Sequence, residues 1–153
     1  MAKEVMRRQA SDNVYLHKDF HGALSTGIDY LDRNYGAEAV REYLRRFTVS
    51  FYAPVIEDVK SRGLVALKEY FEKIYAQEGG RIEAVLSGDE LVLRVEACPA
   101  VAHMREHGYT VAGLFVETER TVNAALCDGT GFEAELIEYD PETGRSVQRF
   151  RRR

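Results

Sequence analysis

The sequence predicts an α+β domain: three N-terminal helices, then a mainly antiparallel sheet from two hairpins with an intervening helical segment. Three observations carry this. Apolar residues recur at helical spacing from Leu16 to Tyr75. The period becomes two over 81–97 and again over 132–150, each time around a turn sequence. Between the strand pairs, Pro99 opens a stretch that returns to helical spacing.

The first helical stripe is Leu16, Phe20, Leu24, Ile28, Leu31 and Tyr35, and Gly36 ends it. The second is Val40, Tyr43, Leu44, Phe47, Phe51, Val55, Ile56 and Val59, ending at Gly63, with Pro54 inside it to kink or split the helix. Its aromatic members, with Tyr52, are expected in the core. The third is Leu64, Leu67, Phe71, Ile74 and Tyr75, closed by Gly79-Gly80. Links this short make neighbouring helices pack side by side.

RIEAVL and ELVLRVEA flank Ser87-Gly88-Asp89, a tight hairpin in which Leu91, Leu93, Val95 and Ala97 share one face. A short helix runs from Pro99 to Gly108, and another is expected from about Val111 to Cys127. FEAELIEY and RSVQRF form the second hairpin around Asp140-Pro141-Glu142-Thr143-Gly144.

The chain has 153 residues, 45% of them hydrophobic and 30% charged, enough for one cored domain with a solvated exterior. Residues 1–13 are polar and aperiodic and read as a flexible arm, with the single domain at 14–153. A net charge of −4 argues against a nucleic-acid partner. The basic run Arg149–Arg153, interrupted by Phe150, reads as a solvated tail. No apolar run spans a bilayer and no signal-peptide h-region is visible, so no membrane partner is expected and a cytoplasmic location is. Two distant cysteines, Cys98 and Cys127, fit that compartment.

All four histidines fall in two H-x3-H pairs, His17/His21 and His103/His107. Residues four apart stack on one helix face, so each pair could grip one divalent transition metal, zinc first, and two pairs could close around it. On a helical wheel at ~100° per residue, His17 and His21 fall at the edge of the apolar stripe. The competing reading is two core-edge histidines, each hydrogen-bonded to a carboxylate or carbonyl. His103-Met104-Arg105-Glu106-His107 also matches H-x-x-E-H, the inverted zincin pattern. The helix is short, Gly108 follows at once, and no long downstream helix offers a third ligand, so solvent-facing residues are the plainer reading.

Cys98 precedes Pro99 at a helix N-terminus, where backbone N–H groups favour thiolate, which makes it the candidate catalytic nucleophile. A buried structural cysteine is the alternative. Glu117, Glu119 and Arg120 form another polar set on a helix, in which Glu117 and Arg120 are spaced to pair on the surface.

The order of parts over roughly residues 90–150 resembles the L-2-amino-thiazoline-4-carboxylic acid hydrolase-like family. A strand leads into Cys98-Pro99 and a short helix ending in Gly108, then a helix start at Leu114-Phe115, then a hairpin carrying Gly144 and Arg149-Phe150. The Cys-Pro strand end also looks like that of small-molecule-binding domains of the vinyl reductase type. Further cysteines of the family pattern are absent: Val116 and Gln148 stand near those places. The resemblance implies opening of a small cyclic C–N bond by water, with a nucleophilic thiol at Cys98.

The expectation is thus a small-molecule hydrolase that is metal-dependent through His17, His21, His103 and His107. The alternative is a non-catalytic small-ligand-binding or sensor domain. A third reading is an interaction protein whose aromatic helices form a homodimer.

Overall fold

The structure is a computed structural model and describes residues 18–153. The arm expected over 1–13, together with Leu16 and His17, lies outside the described residues. The domain is α+β. Four helices come first: α1 (Lys18–Tyr35), α2 (Ala37–Phe51), α3 (Ala53–Arg62) and α4 (Leu64–Glu78). Then follow β1 (Arg81–Ser87), β2 (Glu90–Ala97), α5 (Pro99–Glu106), α6 (Glu117–Leu126), β3 (Phe132–Tyr139) and β4 (Ser146–Arg152).

The helices before the sheet number four, not three. Pro54 has no N–H to continue the second helix, so the chain restarts there with Pro near the first helical position, as α3. The last helix is also shorter than its pattern suggested. Residues 113–116 form turns, with Phe115 N–H bonding Ala112 C=O at 2.9 Å, and the α-helical ladder begins only at Glu117. The preceding loop is held from α1: buried Ser25 donates to Thr110 C=O and accepts from Ala112 N–H, both at 2.8 Å. Gly79-Gly80 closes α4 with a left-handed residue, and Gly80 N–H reaches back to Tyr75 C=O at 2.7 Å.

Both hairpins form as their turn chemistry predicts. Gly88, at φ 57, takes the first position of the two-residue loop between β1 and β2. In the second hairpin Asp140 accepts from Glu142 N–H at 3.0 Å and Thr143 Oγ1 at 2.8 Å, and Gly144 turns the chain back at φ 67. The hairpins join through β2 and β4 into one antiparallel sheet of order β1-β2-β4-β3. The basic run at the end of the chain is therefore a central strand rather than a tail. Phe150 is fully buried on its inner face, while Arg149 and Arg151 pair with Glu135 and Glu133 of β3 on the outer face.

The inner face carries the helices, with α4 against β1 and β2 and α6 against β3. It buries Leu91, Leu93 and Val95 as the alternation predicts, although Ala97 is exposed. Two apolar clusters result. One joins α3, α4 and the sheet around Leu67, Phe71, Leu93 and Phe150. The other joins α1, α2 and α5 around Ile28, Leu44, Val101 and Met104. The aromatic stripe of α2 is not core: Tyr43 is 46% and Phe51 65% exposed, and Val40, Leu44 and Thr48 are buried in their place. Tyr43, Phe47 and Phe51 stack along the helix surface instead.

Two glycines let the end of β2 pack tightly. A Cβ at Gly144 would lie 2.3 Å from Cys98 Cβ, and one at Gly80 would lie 2.5 Å from Pro99 Cγ. Gly144→Ala would combine that clash with a left-handed φ, and it should lower stability by roughly 2–4 kcal/mol. Urea denaturation of the variant checks this; an unchanged midpoint would contradict the packing.

Candidate functional site

A polar seam runs between the two apolar clusters. It starts on β4, whose inner face should be apolar by position. Phe150 obeys, but Ser146 and Gln148 share its face and are 1% and 2% exposed. Buried polar groups must find partners. Gln148 Oε1 accepts from Asn123 Nδ2 of α6 at 2.6 Å. Gln148 Nε2 donates to Glu119 Oε2 at 3.0 Å and to Ser146 Oγ at 2.9 Å. Ser146 in turn donates to the Glu119 carboxylate.

Helix α6 brings the acids. Glu117 and Glu119 are two residues apart, so they leave the helix about 200° from one another. Glu117 turns towards α2. It is fully buried, pairs with Arg120 at 2.9 Å and Arg41 at 3.5 Å, and accepts from Thr121 Oγ1 at 2.6 Å. The i,i+3 pair with Arg120 thus forms, though its acid is interior rather than on the surface. Glu119 turns towards β4 and is held by neutral partners only in Ser146 and Gln148. Burial pushes its carboxyl up to about 7, against the smaller lowering from those two donors.

Other polar side chains surround Glu119. Cys98, at the N-cap of α5, has its thiol pushed up to about 11. Burial is the main cause, and the Glu119 and Glu78 carboxylates act the same way. Hydrogen bonding from the Val101 and Ala100 N–H groups opposes the shift, but burial outweighs the helix terminus. The reactive thiolate expected from the N-cap position is thus replaced by a neutral thiol. Burial also raises the Tyr75 phenol well above its usual range, with Cys98, Glu119 and Glu78 adding to it. Tyr139 rises for the same first reason, with Glu119 and Cys98 next. Tyr139 sits opposite Ser146 in the β3–β4 register, on the same face.

At the far end His21 Nε2 meets Glu78 Oε1 at 3.2 Å, linking α1 to the last residue of α4. Glu119, Cys98, Tyr75, Tyr139, Glu78 and His21 are each only half-buried, yet burial still shifts the first four. These partly buried groups gather in one polar neighbourhood between the helices and the sheet.

Of the four predicted metal ligands, His21, His103 and His107 lie among the described residues. His21 takes a carboxylate, the competing reading for that position. His103 and His107 lie at the end of α5 with ring centroids 4.1 Å apart, packed against Tyr109, and His107 Nδ1 lies 2.9 Å from His103 C=O. The two histidine-bearing segments do approach, since a Cβ at Gly22 would lie 3.0 Å from the Tyr109 ring. Among the described residues no group of three or more His, Cys, Asp or Glu is placed to hold a metal ion. Cys127 is a buried structural cysteine, its thiol pushed up to about 12.

Sequence reasoning missed Asn123, Ser146 and Gln148 as site residues and saw Glu119 only as part of a polar set with Glu117 and Arg120. A signal existed: RSVQRF places Ser146, Gln148 and Phe150 on one strand face, and a glutamine there demands a partner.

No protein-family model matches the chain, and no curated protein matches it in sequence. Among the described residues no helix is long and apolar enough to cross a membrane.

A carboxyl whose folded pKa is raised favours the folded state while protonated. Its contribution to stability therefore falls as pH rises from the usual 4.5 through about 7. The full loss is at most roughly 3 kcal/mol, because the Glu119 side chain is only partly buried. Glu119→Gln should leave the Tm near wild type at pH 5 and raise it at pH 8. The same Tm change at both pH values would contradict the raised carboxyl.

Proposed function

We propose that the protein is a hydrolase that opens a C–N bond of a small cyclic substrate held in a crevice among these groups, with Glu119 as the group that moves the proton. The observation that carries the reading is a carboxyl near 7, held in place by Ser146 and Gln148. A group titrating near the working pH is the most effective acid–base catalyst, because it both accepts and returns a proton readily. The resemblance to the thiazoline-carboxylate hydrolase-like family supports the substrate class.

For a ring C=N unit the steps balance with one water. The Glu119 carboxylate takes a proton from water as the water oxygen bonds to carbon, and the C=N π pair moves to nitrogen. Protonated Glu119 gives that proton to nitrogen. It then takes the new hydroxyl proton and passes it to nitrogen as the C–N bond breaks, leaving a carbonyl and an amine. Glu119 ends ionised, as it began.

Cys98 enters as a neutral thiol. Burial holds the proton on its sulfur, and water is the nucleophile in this reading. The phenols of Tyr75 and Tyr139 stay protonated and can donate to substrate oxygen or nitrogen. That preponderance of neutral donors also favours the second reading, a ligand-binding or sensor domain without turnover.

The test is a panel of five- and six-membered cyclic imines, amidines and lactams, followed by NMR for ring opening. At least one should open, with kcat/KM rising through an inflection near pH 7. Glu119→Gln should lose at least ~100-fold in kcat, the lower range for a general base. Binding without opening would leave the sensor reading, and equal rates in wild type and Glu119→Gln would reject the assignment.

A further inference from the structure

The β3–β4 ladder contains one extra residue. Leu136 pairs with Gln148, Glu138 with Val147, and Tyr139 with Ser146, so Ile137 bulges out between the first two. Had the register run straight on from Leu136, Glu138 would stand opposite Ser146 and Tyr139 would belong to the outer face. The burial pattern agrees with the bulge: Phe132, Ala134 and Leu136 point inward, Ile137 is 47% exposed, Glu138 is exposed, and Tyr139 is inward again. Bulges commonly re-aim a side chain beside a functional site. This one brings a phenol, in place of a carboxylate, next to the hydroxyl that holds Glu119.

Tyr139 also has an outer aspect. With Glu138, Asp140 and Arg145 it lines an open depression of about 300 Å³ at the surface. Tyr139 therefore borders this depression and stands opposite Ser146 in the ladder. Cys98 is close behind, since its N–H bonds Thr143 C=O at 3.0 Å and Gly144 packs on its Cβ.

We propose that Tyr139 is the specificity-determining residue of the crevice: the bulge at Ile137 turns its ring across the passage from the surface depression to Cys98 and Glu119, so that it sets the size of ligand admitted. This takes the crevice as the ligand site, as the proposed function does, but needs no turnover. It can hold where hydrolysis fails, and fail where hydrolysis holds.

Alkylation of Cys98 reads the passage directly. Rates with iodoacetamide and with the bulkier N-ethylmaleimide are measured at pH 9 by peptide mass mapping. Each is divided by the rate for free glutathione, and Cys127 serves as the internal control. Tyr139→Ala should speed N-ethylmaleimide labelling of Cys98 at least fivefold, iodoacetamide labelling less, and leave Cys127 unchanged. Tyr139→Trp should slow both reagents at Cys98. Rates at Cys98 that are the same in all three proteins overturn the proposal. So does a rise in Tyr139→Ala shared equally by both cysteines, which reports general loosening, when Tyr139→Trp brings no slowing.

Discussion

One amide organises the interior. Gln148 stands in the middle of the inner face of a central strand, 2% exposed, where an apolar residue would ordinarily pack. Its oxygen takes Asn123, and its nitrogen serves both Glu119 and Ser146. Three of its four hydrogen-bonding positions are thus filled within the protein. A buried amide left unpaired would cost about 1–3 kcal/mol, so β4 and α6 are held in one relative register. The two apolar clusters meet across this seam, with Val122 packed against both.

The two glutamates of α6 show how partners decide a carboxylate's role. Glu117 is the more buried, but two guanidinium groups and a hydroxyl meet it, and it serves as a clamp between α6 and α2. Glu119 has an amide and a hydroxyl, neither of which supplies a charge, so burial dominates and its proton is held up to about neutrality. A single helix therefore carries a structural acid on one side and a titrating one on the other. The Cys98 thiol and the Tyr75 and Tyr139 phenols share the second environment and are raised with it.

Much of the fold was legible because it depends on local chemistry. The Gly88 and Asp140–Gly144 turns, the Gly79-Gly80 stop and the alternation of Leu91, Leu93 and Val95 are written within a few residues of where they act. What was illegible depends on distant partners. The stacked Tyr43, Phe47 and Phe51 read as core until α1 and α6 claim the other face of α2. The arginines of β4 read as a tail until Glu133 and Glu135 stand beside them. At the site, His21 and Cys98 drew attention by type and spacing; His21 pairs with Glu78, and Cys98 lies near Glu78 and Glu119. Glu119 was visible only as one of a polar set with Glu117 and Arg120, because the burial that raises its carboxyl comes from packing against distant parts of the chain. The Ile137 bulge is invisible to a strict period of two, which would have turned Glu138 inward.

The central claim is that Glu119 titrates near neutrality inside a folded protein. It is tested most directly by 13C NMR of glutamate side-chain carboxyls between pH 4 and 9, with Glu119→Gln identifying the resonance. The account predicts a midpoint at about 7. A midpoint near the usual 4.5 would contradict it, since a carboxyl ionised that easily is neither desolvated nor poised to move a proton at neutral pH.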